Sequence, residues 1–233
     1  MLRSRVARKI NHLLHSRFAK WILPLRPRHD AQYVGGRNGT IYGRYIIPAE
    51  LIPPGGIAYC AGIGQDLSFE QELATKYGME VYAFDPTPDS IEYATSRASG
   101  VPGLRFFPIG WWSSDTVLRF AQTDAADPIS CTALDAPHVA RFLEFPCRRV
   151  DSLMREHGHA ELALAKMNIE GAEIEVVDSM FEHGVLPRVL VVEMDHPSFR
   201  QSHALTKRIL AKGYDLMIID GRNYTFIRKQ QLK

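Results

Sequence analysis

Three short stretches of this chain combine residue types that bind ligands or move protons. The first is Ala61-Gly62-Ile63-Gly64-Gln65-Asp66, placed between an apolar run at residues 56–61 and a helical pattern at residues 66–77. Glycines at a strand-to-helix turn let the backbone approach a ligand closely, and the following helix offers free N–H groups and a positive dipole end. On its own, such a pair of glycines equally marks a plain tight turn. The second is Asp85, which closes another apolar run 23 residues after Gly62. An acid there can hydrogen-bond the ribose hydroxyls of an adenosine-containing cofactor. The third glycine of the dinucleotide fingerprint is absent, since Leu67 stands in its place. Asp66 would repel a pyrophosphate but can hold the cationic amine of a methionine moiety. The pattern therefore favours S-adenosylmethionine over a nicotinamide dinucleotide, and an NAD-dependent oxidoreductase is the weaker alternative.

The third stretch is Lys166-Met167-Asn168-Ile169-Glu170-Gly171, to which the downstream Glu193 and His196 add two proton-handling groups. Lys166, Asn168 and Glu170 share one side of a strand by two-residue alternation, if that strand runs so far. Glu170 then sits at the strand's end, where acceptors bind, and His196 titrates near neutrality. Either suits a general base. Each also has a plainer reading: Glu170 as an acid favoured at a helix N-terminus, and His196 as a loop-capping residue before Pro197. Glu170, Glu193 and Asp195 could surround a divalent cation such as Mg²⁺, although a metal is not favoured. Trp111-Trp112 either stacks on a ligand or packs under a loop.

The elements that must position these residues alternate between strand and helix. Strands are expected at residues 56–61, 80–84, 104–109, 162–169 and 189–194, with helices at 66–77, 88–99, 150–157, 172–183 and 203–212. Residues 115–122 alternate like an added strand, and residues 123–148 read as loop, with Pro128 and Pro137. Residues 214–219 and 224–228 flank Asp220-Gly221, a hairpin-type turn. Five strands separated by helices and followed by a hairpin imply an α/β, Rossmann-like sheet, mostly parallel with an antiparallel C-terminal strand.

Gly62 through Glu70 (GIGQDLSFE), Val81 through Pro88 (VYAFDPTP) and Lys166 through Glu173 (KMNIEGAE) together resemble the FkbM-type methyltransferases. The resemblance is closest to a subgroup with G-x-G-x-D-x-S-F-[DE] and D-P-T-P motifs. Val150-Asp151-Ser152-Leu153 is similar to the family's T-L-D-x-L stretch, and Val192 through His196 to its E-x-H region; together the likeness covers residues 40–229. It implies a class I methyltransferase fold and methyl transfer from S-adenosylmethionine to a hydroxyl of a sugar, glycan or natural product. On the matching positions, Gly62, Gly64 and Asp66 would surround the methionine part, Asp85 with Pro86 the ribose, and Gly110 and Trp111 the adenine. Asn168, Glu170, Glu193 and His196 would face the acceptor. The family's fourth-strand motif carries Asp where this chain has Asn168. Asparagine keeps the hydrogen-bonding shape but cannot act as a base. A second reading follows, a cofactor-binding but weakly active or inactive relative that serves as a partner module.

The chain has 233 residues, enough for one such domain plus an extension. Cys60, Cys131 and Cys147 have neither zinc-site spacing nor an even count, which favours a reducing compartment, here the cytoplasm. No run of about 18 apolar residues marks a membrane-spanning helix. Eight of the 28 Lys/Arg fall in residues 1–29, which hold no acid, so the rest carries 20 basic against 26 acidic residues, a net −6. Leu2, Val6, Ile10, Leu13, Leu14, Phe18 and Trp21 recur at helical spacing up to Pro24. This basic amphipathic helix either packs on the domain, docks on a membrane or anionic surface, or acts as an organellar targeting segment. The division expected is an extension at 1–39 and the catalytic domain at 40–233. Nucleic acid is disfavoured as a partner, because no N-P-P-Y motif or RNA-binding pattern is present.

Overall fold

The computed structural model describes residues 19–36, 43–122, 131–132, 142–194 and 199–229. A seven-stranded sheet forms its centre. In chain order its strands are β3 (Ile57–Ala61), β4 (Glu80–Phe84), β5 (Leu104–Phe107), β10 (Leu164–Met167), β11 (Val189–Glu193), β12 (Tyr214–Asp220) and β13 (Asn223–Arg228). Their spatial order is β12-β13-β11-β10-β3-β4-β5. The five strands from β5 to β11 run parallel, and β13 is antiparallel to both of its neighbours. This is the α/β, mostly parallel sheet with an antiparallel C-terminal strand that the alternation predicts.

Parallel strands are covered on both faces, so their sequences read as continuous apolar runs. Alternate residues then feed two cores. Tyr59, Ala61, Tyr82, Phe84, Ala165 and Met167 pack under α3 (Val150–His157), α4 (Glu173–Glu182) and α5 (Phe199–Ala211). Ala58, Cys60, Val81, Ala83 and Leu164 pack under α1 (Ser68–Thr75) and α2 (Pro88–Ala98).

A hairpin of β1 (Ala31–Gly35) and β2 (Arg44–Pro48) completes this second face, with Val34, Tyr45 and Ile47 in its core. Thr225 Oγ1 on β13 donates to Ile46 O at 2.7 Å and ties β2 to the sheet. The hairpin pairs residues on both sides of position 40, so the stretch from 31 to 35 is structurally part of the domain. Further upstream, residues 19–22 are helical, Ala19 and Leu23 are buried, and Leu25 bridges to Leu216 on β12. The greater part of the basic helix, residues 1–18, lies outside the described residues.

The expectation of loop at residues 123–148 is corrected at its end, where β9 (Phe142–Arg148) forms. It joins β6 (Gly110–Trp111), β7 (Thr116–Gln122) and β8 (Cys131–Thr132) in a second sheet ordered β6-β9-β7-β8. Pro146 is tolerated in β9 because β6 pairs with Cys147 and Arg148, so that among the described residues β9 is paired on one side at the proline. The fourth strand is also shorter than its pattern. β10 ends at Met167 rather than running to residue 169, so alternation does not carry Asn168 and Glu170 onward.

Candidate functional site

The sheet order reverses between β3 and β10: β4 and β5 follow on one side of β3, and β11 on the far side of β10. In open α/β sheets the crevice at the carboxyl ends of two such strands receives ligands. Here the two turns that leave these strands touch. Asn168 N–H donates to Ala61 O at 3.1 Å. Gly62 has φ +75, and a Cβ there would lie 1.5 Å from Asn168 O. Glycine is required at 62 both by the left-handed backbone and by this neighbouring peptide. Gly64 is left-handed as well, at φ 56.

Asp85 locks this turn. Its Oδ2 accepts from Ile63 N–H at 2.8 Å and Gly64 N–H at 3.0 Å. Its Oδ1 accepts from Thr87 N–H at 2.9 Å and Thr87 Oγ1 at 2.7 Å. The residue is 5% exposed. A carboxylate has about four lone-pair sites, so in this geometry all are committed to the turn and to the start of α2. Pro86, next in the chain, packs beneath Gly110, where a Cβ would sit 3.3 Å from Pro86 Cγ and 2.7 Å from Cys147 Sγ. Asp66 Oδ1 accepts from Ser68 N–H at 2.8 Å and opens α1, while Oδ2 lies against Gly43 at the end of the hairpin. Trp111 is in the core instead of at the crevice mouth, 5.7 Å from the Phe84 ring and 6.5 Å from Tyr59.

On the fourth-strand side, Glu170 follows Asn168 with φ 53, the one non-glycine residue in the left-handed region among those described. Such a backbone costs on the order of 1–3 kcal/mol and persists where the surroundings over-determine it. Glu173 supplies part of that constraint: its Oε1 accepts from Ile169 and Gly171 N–H, both at 3.3 Å. Glu173 is fully buried, and burial pushes its carboxyl up to about 7, with repulsion from Glu193 adding to the rise. Glu193 ends β11. Burial raises its carboxyl above the ordinary range, against the pull of Arg222 and Lys166. His196, like Asp195, lies outside the described residues. Among the described residues no three His, Cys, Asp or Glu side chains gather as a metal site would need.

Lys166, which the sequence presents only as a motif residue, is buried under the glycine turn. Its Nζ donates to Gly62 O at 2.7 Å. Glu70 Oε1 on α1 lies 3.6 Å away, and the ammonium sits 5.0 Å from the centre of the Tyr45 ring. Burial pulls the lysine down, but Tyr45, Glu70 and Cys60 around it prevail and hold it above its usual value. A lysine inside the apolar run LALAKM is the one sign of this cluster that the sequence carries. Its partners come from distant elements, and spacing does not reveal them.

A cavity of about 320 Å³ lies at the opposite, amino end of the strands, lined by Asp151, Arg155, His159, His183 and Arg228 among others. Arg155 there is already paired with Asp151 at 2.7 Å.

A parallel α/β sheet with a glycine turn, an acid closing the second strand and carboxylates near the switch point forms a crevice of the kind that receives ligands. The chain matches the methyltransferase FkbM domain over residues 60–228. It belongs to that family and is a methyltransferase; the family implies use of S-adenosylmethionine. Among solved structures it is similar to an rRNA methylase from Streptococcus thermophilus (14% identity, 78% of this chain and 92% of that one, TM-score 0.42). It is also similar to a TehB-like SAM-dependent methyltransferase from Corynebacterium glutamicum (16%, 78% and 86%, 0.40). A methyltransferase from Pyrococcus furiosus aligns over 95% of this chain and 96% of its own at 9% identity and a TM-score of 0.41. No curated protein matches the chain.

Proposed function

We propose that this methyltransferase methylates a hydroxyl oxygen, of a sugar, glycan or similar natural product, with S-adenosylmethionine as donor. The observation that carries the reading is Glu193 at the carboxyl end of β11, beside the crevice, its carboxyl raised by burial. A carboxyl raised by burial beside a ligand-binding crevice suits a hydroxyl acceptor, since a base works best when its pKa approaches the working pH. Glu193, at the end of β11, is the base we favour; Asn168, Glu170 and His196 are the other residues that the family resemblance would turn toward the acceptor.

The residues present fit the cofactor in chemistry. Gly62 and Gly64 carry no side chain between the crevice and the backbone, and the Asp66 carboxylate stands at the turn to hold an ammonium group. Asp85 reaches a ribose only by sharing the oxygens that now hold the turn. S-adenosylmethionine, when bound, supplies an electrophilic methyl on a sulfonium sulfur. The chain's part would be to hold the acceptor oxygen in line with that methyl and to accept the hydroxyl proton on Glu193.

Calorimetry with S-adenosylhomocysteine, followed by labelled-methyl transfer to a panel of hydroxylated glycans, tests the reading. Micromolar binding and transfer that fails in Glu193→Gln support it. Binding without transfer to any hydroxyl acceptor favours the partner-module reading that Asn168 motivates, and absence of binding refutes cofactor use altogether.

The basic segment within residues 1–29 fits an anionic membrane surface or a lipid-linked acceptor. Trp21 at its end is 82% exposed. The test is liposome flotation of a chain lacking residues 1–18, which leaves the buried Ala19 and Leu23 in place. Undiminished flotation of the shortened chain rules the role out.

A further inference from the structure

We propose that Lys166 is a positioning residue for the cofactor turn, its ammonium fixing the Gly62 carbonyl from beneath while Glu70 and Tyr45 keep that ammonium tolerable in the interior. The inference rests on the cofactor reading of that turn and adds to it a residue that touches no ligand.

The geometry is specific. Lys166 lies on β10 between Ala165 and Met167, whose side chains enter the other core, so its own side chain enters the core beneath α1 and the β1–β2 hairpin. It is 2% exposed and Glu70 is 1% exposed. A charged lysine in such a place is costly unless paired and hydrogen-bonded. The pairing with Glu70, at 3.6 Å, is longer than a hydrogen bond. The short contact, 2.7 Å, goes to Gly62 O. If the pair served the core alone, the ammonium would be expected to make its close bond to the carboxylate. Its closest bond is instead to the peptide that follows β3.

That peptide is where the site's constraints meet. Gly62 N–H donates to Phe84 O at 3.0 Å, its Cα packs on Asn168 O, and the next two N–H groups go to Asp85. The Gly62 carbonyl takes its donor from another element, and Lys166 supplies it. Because Lys166 and Asn168 are two residues apart on one strand end, the same short segment fixes the turn from below and touches it from the side.

Three variants separate positioning from simple support of the fold: Glu70→Gln, Lys166→Met, and the double variant Lys166→Met with Glu70→Leu. The double variant removes both buried charges together, a change that often leaves stability intact. The readouts are thermal midpoint, calorimetric affinity for S-adenosylhomocysteine, and hydrogen exchange of the Ile63 and Gly64 amides.

Positioning predicts that the double variant, folded, loses at least tenfold in affinity and exchanges these two amides at least tenfold faster. Exchange within β10 should be unchanged. Glu70→Gln removes the counter-charge but not the Nζ contact, and should lose clearly less affinity and turn protection than Lys166→Met, even with a lowered midpoint. A double variant with wild-type affinity and turn protection overturns the inference. So does a Glu70→Gln variant that loses as much as Lys166→Met, which also decides the matter if the double variant does not fold. If the wild type binds no S-adenosylhomocysteine, the cofactor reading falls. The exchange data then still judge whether Lys166 holds the turn.

Discussion

Replacing Gly62 by alanine should damage this protein far more than replacing any glycine whose surroundings are open. The new Cβ would stand 1.5 Å from Asn168 O and 2.6 Å from its carbonyl carbon, against 3.4–4 Å for ordinary contact. The obstacle is backbone, so the two turns must separate by about 2 Å, judged from those distances. That movement breaks the Asn168 N–H bond to Ala61 O and the Lys166 bond to Gly62 O. A neutral hydrogen bond contributes about 0.5–1.5 kcal/mol and one to a charged group about 1.5–3. The left-handed backbone of a non-glycine residue adds about 1–2 kcal/mol. The total is about 3–6 kcal/mol, a large part of the stability of an ordinary domain. Gly158 is the control: its φ is +74, almost that of Gly62, yet a Cβ placed on it would meet no atom of the described residues within 4 Å. Gly158→Ala should therefore cost only the backbone share, about 1–2 kcal/mol. Urea denaturation separates the two, since at a slope of about 3 kcal/mol per molar the midpoints should fall by about 1–2 M for Gly62→Ala and about 0.5 M for Gly158→Ala. Equal shifts would refute the claim that the two turns interlock.

Three further outcomes are expected. Asp85→Ala deprives the Ile63, Gly64 and Thr87 amides of their acceptor. At about 1–3 kcal/mol for each donor left unsatisfied, it should lower both the melting temperature and S-adenosylhomocysteine affinity; lost affinity with an unmoved melting temperature would mean that Asp85 serves the ribose and not the turn. Glu173 has its folded pKa raised from 4.5 to about 7. Between those values the folded chain keeps a proton that the unfolded chain has released, so its contribution is full below 4.5 and falls away by about 3 kcal/mol as pH rises to 7. Glu173→Gln, which cannot ionise, should flatten that fall and be the more stable protein at about pH 8 in urea titrations; parallel pH profiles for variant and wild type would contradict it. Glu193→Gln should reduce methyl transfer by about 100-fold or more with S-adenosylhomocysteine affinity within threefold, and unchanged transfer would remove Glu193 as the base.

How far the sequence can be read depends on whether the deciding interactions are local. β4 and α3 begin and end where their patterns place them, because apolar alternation and the Gly158 stop are properties of adjacent residues. The glycine turn is legible for the same reason. The pattern makes β10 two residues too long at each end, because apolar residues run on past the stretch that pairs with its neighbours. The β1–β2 hairpin leaves little trace in the sequence: its residues alternate weakly, and what stabilises it is a face of β13 and α1 supplied from far along the chain. Pro146 obscures β9, since proline excludes a central strand but not one paired on a single side. For Trp111 the sequence leaves ligand stacking and packing open, and the ring lies among Tyr59 and Phe84.

The candidate site shows the same division more sharply. Sequence spacing singles out acids as ligand contacts, yet the acids of this crevice bond first to the chain's own backbone. Asp85 holds the first turn, Asp66 opens α1, and Glu173 spans the strained turn around Glu170. Lys166 completes the set from below with the one donor aimed at a carbonyl. Backbone that must bend through left-handed residues and still approach a ligand has few bonds of its own to spare, so charged side chains supply them, at roughly twice the strength of neutral partners. On this view the Asn168 substitution is better tolerated than a motif comparison implies. What Asn168 contributes to the interlock is its main-chain N–H and carbonyl, and asparagine presents both as aspartate does. Loss of charge at its side chain would then alter acceptor chemistry while leaving the cofactor turn intact, so an Asn168→Asp variant should change methyl transfer without changing S-adenosylhomocysteine affinity. A change in that affinity beyond threefold would show instead that the side chain at 168 takes part in building the turn.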